Sequence, residues 1–213
     1  MVILGAGFDS RLYRFPEING RVKVFEVDHP ATQRVKIAKV KKIFGSLPKH
    51  VVYIPMDFNK DKLEKKLFDA GYDRNLKTFF IWEGVTMYLT TEAVDDILVF
   101  VAKNSGPGSS IIFDYIFKSF LDETIEFEGV HRIERVWKAY ERLDKPITDE
   151  RFTFGIPEGT IREFLSRRGF HQIEEVTGEY LKSAYFQGVN SKRNVLRLCG
   201  FVHAAVDRRN QLR

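Results

Sequence analysis

Met1-Val2-Ile3-Leu4-Gly5-Ala6-Gly7-Phe8-Asp9-Ser10-Arg11 runs from a short apolar strand straight into a glycine-rich turn. Gly5 and Gly7 carry no Cβ, so the backbone there can turn tightly and come close to a ligand, as Ala6 between them would also do through its main chain. An acidic pair follows in Phe25-Glu26-Val27-Asp28, at the end of the next alternating segment. A carboxylate in that place can accept hydrogen bonds from ribose hydroxyls, so the two stretches read as one half of a nucleotide or nucleoside site. The turn by itself is a weak signal, because strand-G-x-G also occurs in turns that bind nothing.

Outward from this stretch the chain alternates strand and helix. Arg21 to Val27 alternates as a second strand, and Pro30 opens a helix whose expected apolar face is Val35, Ala38, Ile43 and Phe44, ending near Gly45. Val51 to Pro55 reads as a third strand with Asp57 and Phe58 just past it, and Asp61 to Ala70 as an exposed helix. Thr78 to Trp82 is a continuous apolar run of the kind expected for a central strand covered on both faces, and it ends in Glu83-Gly84. Three acids therefore stand just past three strands, at the edge where open parallel sheets bind ligands. Thr91 to Lys103 reads as a helix capped by Thr90 or Thr91, and Ser109 to Tyr115 as a fifth strand.

The rhythm then changes. Ile116 to Arg151 contains no strand pattern but two helical ones, Phe117 to Phe127 and His131 to Leu143, and a helical insertion there, about 116–151, is expected to cover the site as a lid. A helix over Ile156 to Arg168 and strands over Phe170 to Val176 and Asn194 to Val206 complete the pattern. The expected fold is α/β: a Rossmann-like, seven-stranded, mostly parallel sheet with a terminal antiparallel strand, forming one domain over residues 1–213.

Composition narrows the function classes. The 34 Lys and Arg against 29 Asp and Glu leave a formal charge of +5, spread over several solvated runs, so no nucleic-acid partner is expected. No apolar run approaches the ~20 residues that span a bilayer, and no signal-peptide layout stands at Met1, so a cytoplasmic protein without membrane attachment is expected. The single cysteine, Cys199, excludes an internal disulfide and reads as a structural thiol. The five histidines are scattered, and no metal site is expected. Homo-oligomer formation is left open.

Four blocks in order resemble the class I S-adenosylmethionine-dependent methyltransferases, and within them the leucine carboxyl methyltransferase family with its O-methyltransferase relatives. They are Leu4 to Arg11, Phe25-Glu26-Val27-Asp28-His29-Pro30, Asp57, and Trp82-Glu83-Gly84-Val85-Thr86-Met87-Tyr88-Leu89-Thr90, supported by Phe154-Gly155-Ile156 and Gly169-Phe170. The resemblance implies S-adenosyl-L-methionine as cofactor, with the turn from Gly5 through Ala6 to Gly7 against its methionine portion. It implies Asp28 at the ribose hydroxyls, Asp57 and the Phe58 backbone at the adenine, Glu83 beside the amino group, and Tyr88 facing the methyl-transfer pocket. It also implies an amino-terminal helical cover that supplies a basic residue to the cofactor, which is expected to be missing here because a core strand follows Met1 at once.

The implied reaction is methyl transfer to an oxygen of a small molecule or of a peptide carboxyl terminus. A carboxylate acceptor, ionised above about pH 4, needs no general base. A hydroxyl acceptor would be helped by one, and His131 is the candidate. Two other readings stay open: an NAD(P)-binding Rossmann oxidoreductase, against which Ser10 replaces the third glycine of G-x-G-x-x-G, and a cofactor-binding scaffold without turnover.

Overall fold

The computed structural model describes residues 1–18, 20–122, 152–193, 195 and 197–206. Seven strands form one sheet: β1 (Val2–Leu4), β2 (Val24–Asp28), β3 (Val51–Pro55), β4 (Phe79–Trp82), β5 (Ser110–Ile116), β6 (Phe170–Thr177) and β7 (Cys199–Val206). Their order is β3-β2-β1-β4-β5-β7-β6. The first five pair in parallel, and β7 enters antiparallel between β5 and β6. From β1 the chain winds outward to β2 and β3, then returns to lay β4 on the other side of β1. The carboxyl ends of β1 and β4 are thus the topological switch point, where such sheets leave a crevice.

The helices among the described residues are α1 (Arg11–Arg14), α2 (Pro30–Phe44), α3 (Leu63–Asp69), α4 (Thr91–Lys103), α5 (Lys118–Leu121), α6 (Ile161–Ser166) and α7 (Gly178–Tyr185), with short 3-10 turns at Thr86–Tyr88 and Gly188–Asn190. None is long and apolar enough to cross a membrane. The main core packs Val2, Leu4, Phe80, Trp82, Ile111, Phe113 and Val202 of the sheet against Leu63 and Leu67 of α3, the Val94, Ile97, Leu98 and Val101 stripe of α4, and Ile161 and Leu165 of α6. Ile3, Val24, Val51 and Ile81 face the other way and meet Leu12 of α1 and Ala6. Thr90 caps α4 by accepting from Ala93 N, and Gly45 closes α2 in the left-handed conformation at φ 78°.

Several boundaries differ from the pattern reading, each for a local reason. The second strand begins at Val24 because Arg21 and Val22 turn back, both donating to the Ile18 carbonyl. The third helix begins at Leu63 because Asp61 is occupied upstream, its Oδ2 accepting from Asp57 N at 3.0 Å. Ile156 is not helical: it bridges Phe117 and exchanges hydrogen bonds with Ile116 and Lys118, so α6 starts after Thr160. A helix, α7, occupies Gly178–Tyr185, where only a connection was expected. The expected apolar face of α2 is also wrong: Val35, Ile43 and Phe44 are exposed, and the helix buries Gln33, Lys36 and Val40 instead. The excursion after β5 begins with α5; the rest of the expected lid, with His131, lies outside the described residues.

The core assignment carries a direct test. Phe113 is wholly buried between Trp82 and Tyr115, so Phe113→Ala should cost about 3–5 kcal/mol in urea unfolding. Val189→Ala, at a side chain 97% exposed, should change stability by less than about 0.5 kcal/mol.

Candidate active site

The glycine turn is held by backbone bonds that only its sequence permits. Gly5 N and Ala6 N both donate to the Val27 carbonyl, at 2.8 and 3.2 Å, which binds the turn to β2. Gly5 sits at φ 70°, and a Cβ there would lie 2.1 Å from Val85 Cγ2, so conformation and packing both require glycine. At Gly7, with φ 42°, a Cβ would meet only the Gly5 carbonyl oxygen, at 3.9 Å, so there it is the left-handed backbone and not packing that favours glycine. Here the backbone is bare toward the crevice.

Behind the turn lies a buried polar network. Lys36 Nζ donates to Glu26 Oε1 at 2.7 Å and to the Ala6 carbonyl at 3.3 Å. Tyr13 OH donates to the same Glu26 oxygen at 3.2 Å and pairs with Tyr53 OH at 2.9 Å. Gln33 Nε2 donates to the Glu26 carbonyl. Burial pushes the Glu26 carboxyl up, and Lys36 and Tyr13 oppose that shift. Its second oxygen, Oε2, is buried with no hydrogen-bond partner among the described residues.

Asp28 joins the turn to the end of β2. Its Oδ2 accepts from Gly7 N and its Oδ1 from His29 N, both at 2.7 Å. Burial raises its carboxyl above the usual range, while the two amides pull it back. Farther along the edge, Asp57 accepts from Lys60 Nζ at 2.8 Å and from Asn59 N, and Lys60 holds its carboxyl below the usual range. Phe58 packs against the main core.

On the other side of the turn, Arg11 spans the crevice. Its Nε and Nη2 bind Asp9 Oδ2 at 2.8 and 2.7 Å, and Nη2 reaches Glu83 Oε2 at 2.5 Å. Next to Glu83, Gly84 N donates to Asp114 Oδ1 at 2.7 Å, and burial raises the Asp114 carboxyl. A cavity of about 430 Å³ opens here, lined by Ile3 to Arg11, Arg14, Ile81 and Glu83.

Gly5, Ala6, Gly7 and Glu83 thus share one cavity wall, whereas Asp28, Asp57 and Phe58 stand along the same sheet edge outside it. Tyr88 lies in the 3-10 turn after β4, 5.3 Å from the Phe152 ring and packed with Met87, Ile116 and Leu198. Four residues escaped the pattern reading as site members. Arg11, Arg14 and Lys36 carry no signal in the sequence that separates them from the chain's other basic residues. Asp114 could have been found by the rule that selected the other acids, since it also lies near the carboxyl end of a parallel strand. Burial pushes the Cys199 thiol up, which does not suit a nucleophile. No cluster of three potential metal ligands occurs among the described residues.

Two predictions follow from these contacts. Lys36→Met leaves Glu26 buried without its cation and should cost about 3–5 kcal/mol in chemical denaturation, much of it recovered in Lys36→Met/Glu26→Leu. For Asp9, burial alone would raise the carboxyl, but the hydrogen bonds and charge of Arg11 outweigh it and lower it below its ordinary 3.8. The stability from that pair is therefore fully present above about pH 4 and lost as pH falls through the lower folded value. In Arg11→Gln the stability deficit relative to the parent should be constant from pH 7 to 5 and shrink below pH 4; a deficit that grows with acid would contradict the assignment.

Comparison with known proteins agrees with this geometry. A profile of the leucine carboxyl methyltransferase family matches residues 1–102. The chain is 33% identical over 205 residues, 95% of its length, to YktD of Bacillus subtilis, provisionally classed as an S-adenosyl-L-methionine-dependent methyltransferase. It is 32% identical over 197 residues, 90% of its length, to Rv3767c of Mycobacterium tuberculosis, which carries the same provisional class. It spans 64% and 62% of those two proteins. The fold matches human N-acetylserotonin methyltransferase, solved with S-adenosylmethionine, at a TM-score of 0.54 and 14% identity, over 97% of this chain and 48% of that one. By sequence the chain is similar to the leucine carboxyl methyltransferase family and to these S-adenosylmethionine-dependent methyltransferases, and its fold is the one that class I members such as N-acetylserotonin methyltransferase share.

Proposed function

We propose that this chain carries the cofactor site of an O-methyltransferase that acts on a carboxylate or hydroxyl of a small molecule or of a peptide carboxyl terminus. The observation that supports it most is the order of groups along one sheet edge: Asp57 and Phe58 past β3, Asp28 at the end of β2, the bare Gly5–Gly7 backbone past β1, and Glu83 past β4. With strands about 4.8 Å apart, that row is roughly 14 Å long, the reach of an extended nucleoside bearing an amino-acid tail.

The residues suit such a ligand. Each Asp28 oxygen already accepts one backbone N–H and retains a lone-pair direction for a ribose hydroxyl, and the two amides hold the carboxylate rigidly. Asp57 and the Phe58 backbone would meet the adenine, and Glu83 the amino group. S-adenosylmethionine, when bound, supplies an electrophilic methyl on a sulfonium, and the acids nearby favour that positive charge.

The acceptor would enter from the side of Tyr88, where Phe120 and Phe152 form an aromatic group with it. A helical lid over about 116–151 would close this side and exclude water. Orientation would carry most of the catalysis, and a carboxylate acceptor would need no base; with a hydroxyl acceptor, His131 would take the proton. A cytoplasmic protein without a nucleic-acid partner completes the reading.

Calorimetry tests it. S-adenosylhomocysteine should bind the folded chain and NAD should not, and Asp28→Asn should weaken binding about tenfold to a hundredfold. Binding of NAD without S-adenosylhomocysteine would overturn the proposal.

A further inference from the structure

The parallel register of β4 and β5 sets Trp82 opposite Phe113, so Asp114 stands beside Glu83 on the next strand. Its contacts run to the loop that follows Glu83. The Oδ1 atom accepts from Gly84 N at 2.7 Å, and the Asp114 carbonyl accepts from Thr86 Oγ1 at 2.6 Å. Side chain and main chain of one residue thus hold the loop at alternate positions. Thr86 is wholly buried, so its hydroxyl has no water to replace that bond.

Between the two held positions lies Val85. Its Cγ2 fills the space that a Cβ on Gly5 would need, 2.1 Å from that position, with Val85 Cβ and Cγ1 at 3.3 and 3.4 Å. The glycine turn therefore rests on Val85, and Val85 is held in place from β5. A packing role alone would be met by an apolar side chain, such as that of Ile112, two positions earlier on the same face of β5. A carboxylate there is costly to desolvate, and burial raises it above its ordinary range, so what it adds is a fixed acceptor for the loop.

We propose that Asp114 is a positioning residue for the cofactor site: by holding Gly84 and Thr86 it seats Val85 against Gly5, and so sets where the bare turn lies. The proposal rests on the cofactor reading above. Asp114 touches no ligand in it and acts across three strands, from β5 through the loop after β4 to the turn after β1. An asparagine would keep Oδ1 for Gly84 N and an alanine would not, so the acceptor atom and not the charge is what the turn depends on.

Calorimetry with S-adenosylhomocysteine tests this on the parent chain and its variants. Asp114→Ala should weaken binding about tenfold, whereas Asp114→Asn should stay within about threefold of the parent. Val85→Ala, which opens the same contact from the other side, should cost about as much as Asp114→Ala. The double variant Asp114→Ala/Val85→Ala should bind little worse than either single one, because both remove one support. Thr86→Val keeps the shape of the loop and loses the bond to the Asp114 carbonyl; it takes the place of Asp114→Ala in this cycle if melting curves show that Asp114→Ala fails to fold. Losses that multiply in the double variant, an Asp114→Asn chain as weak as Asp114→Ala, or undiminished binding in Asp114→Ala or Thr86→Val would each overturn the positioning role while leaving the cofactor reading in place. A parent chain that does not bind S-adenosylhomocysteine would overturn both.

Discussion

Lys36 reaches from α2 beneath the glycine turn and meets Glu26 and the Ala6 carbonyl in a place where both side chains are almost wholly removed from water. Taking two charges out of water costs several kcal/mol each, and their attraction returns that only with good geometry and further hydrogen bonds. Tyr13, Tyr53 and Gln33 supply those bonds. What the pair secures is position, because no apolar substitute would also hold the Ala6 carbonyl. The turn cannot shift against β2 without leaving a buried charge alone, and the amides that face Asp28 and the crevice shift with it.

From that anchor the site assembles along the sheet edge. The parallel register of β1 with β2 and β4 brings the three carboxyl ends level, so acids distant in sequence become neighbours. Asp28 is tied to the turn through Gly7, and Glu83 through Arg11. The turn is therefore braced on both flanks, by a carboxylate that accepts from its backbone and by an ion pair that crosses the crevice. A ligand that binds beside either brace would meet a preorganised partner, since the groups need little rearrangement to receive it.

Much of this was legible in the residues. The strand and helix alternation, the two glycines and the acids past three strands depend on period and local chemistry, and those features survive into the fold. What pattern reading missed is long-range polar structure. Nothing in the text of α2 distinguishes Lys36 from the lysines around it; only packing against β2 makes it interior, and the same packing turns Val35 and Ile43 outward. The start of α6 was misplaced because Ile156 finds a bridge to Phe117, a partner nearly forty positions away. Arg11 has one partner, Asp9, two residues away, while Glu83, the partner that makes it part of a cavity, is far off in sequence.

In the proposed site the nucleoside lies across the carboxyl ends of β3, β2 and β1 with its amino-acid tail toward β4. A crystal structure of the chain with S-adenosylhomocysteine tests that most directly. Ligand density should lie over the Gly5–Gly7 backbone, with the ribose hydroxyls within hydrogen-bonding distance of Asp28 and the amino-acid tail beside Glu83. Ligand seated elsewhere on the molecule, or a ribose remote from Asp28, would contradict it.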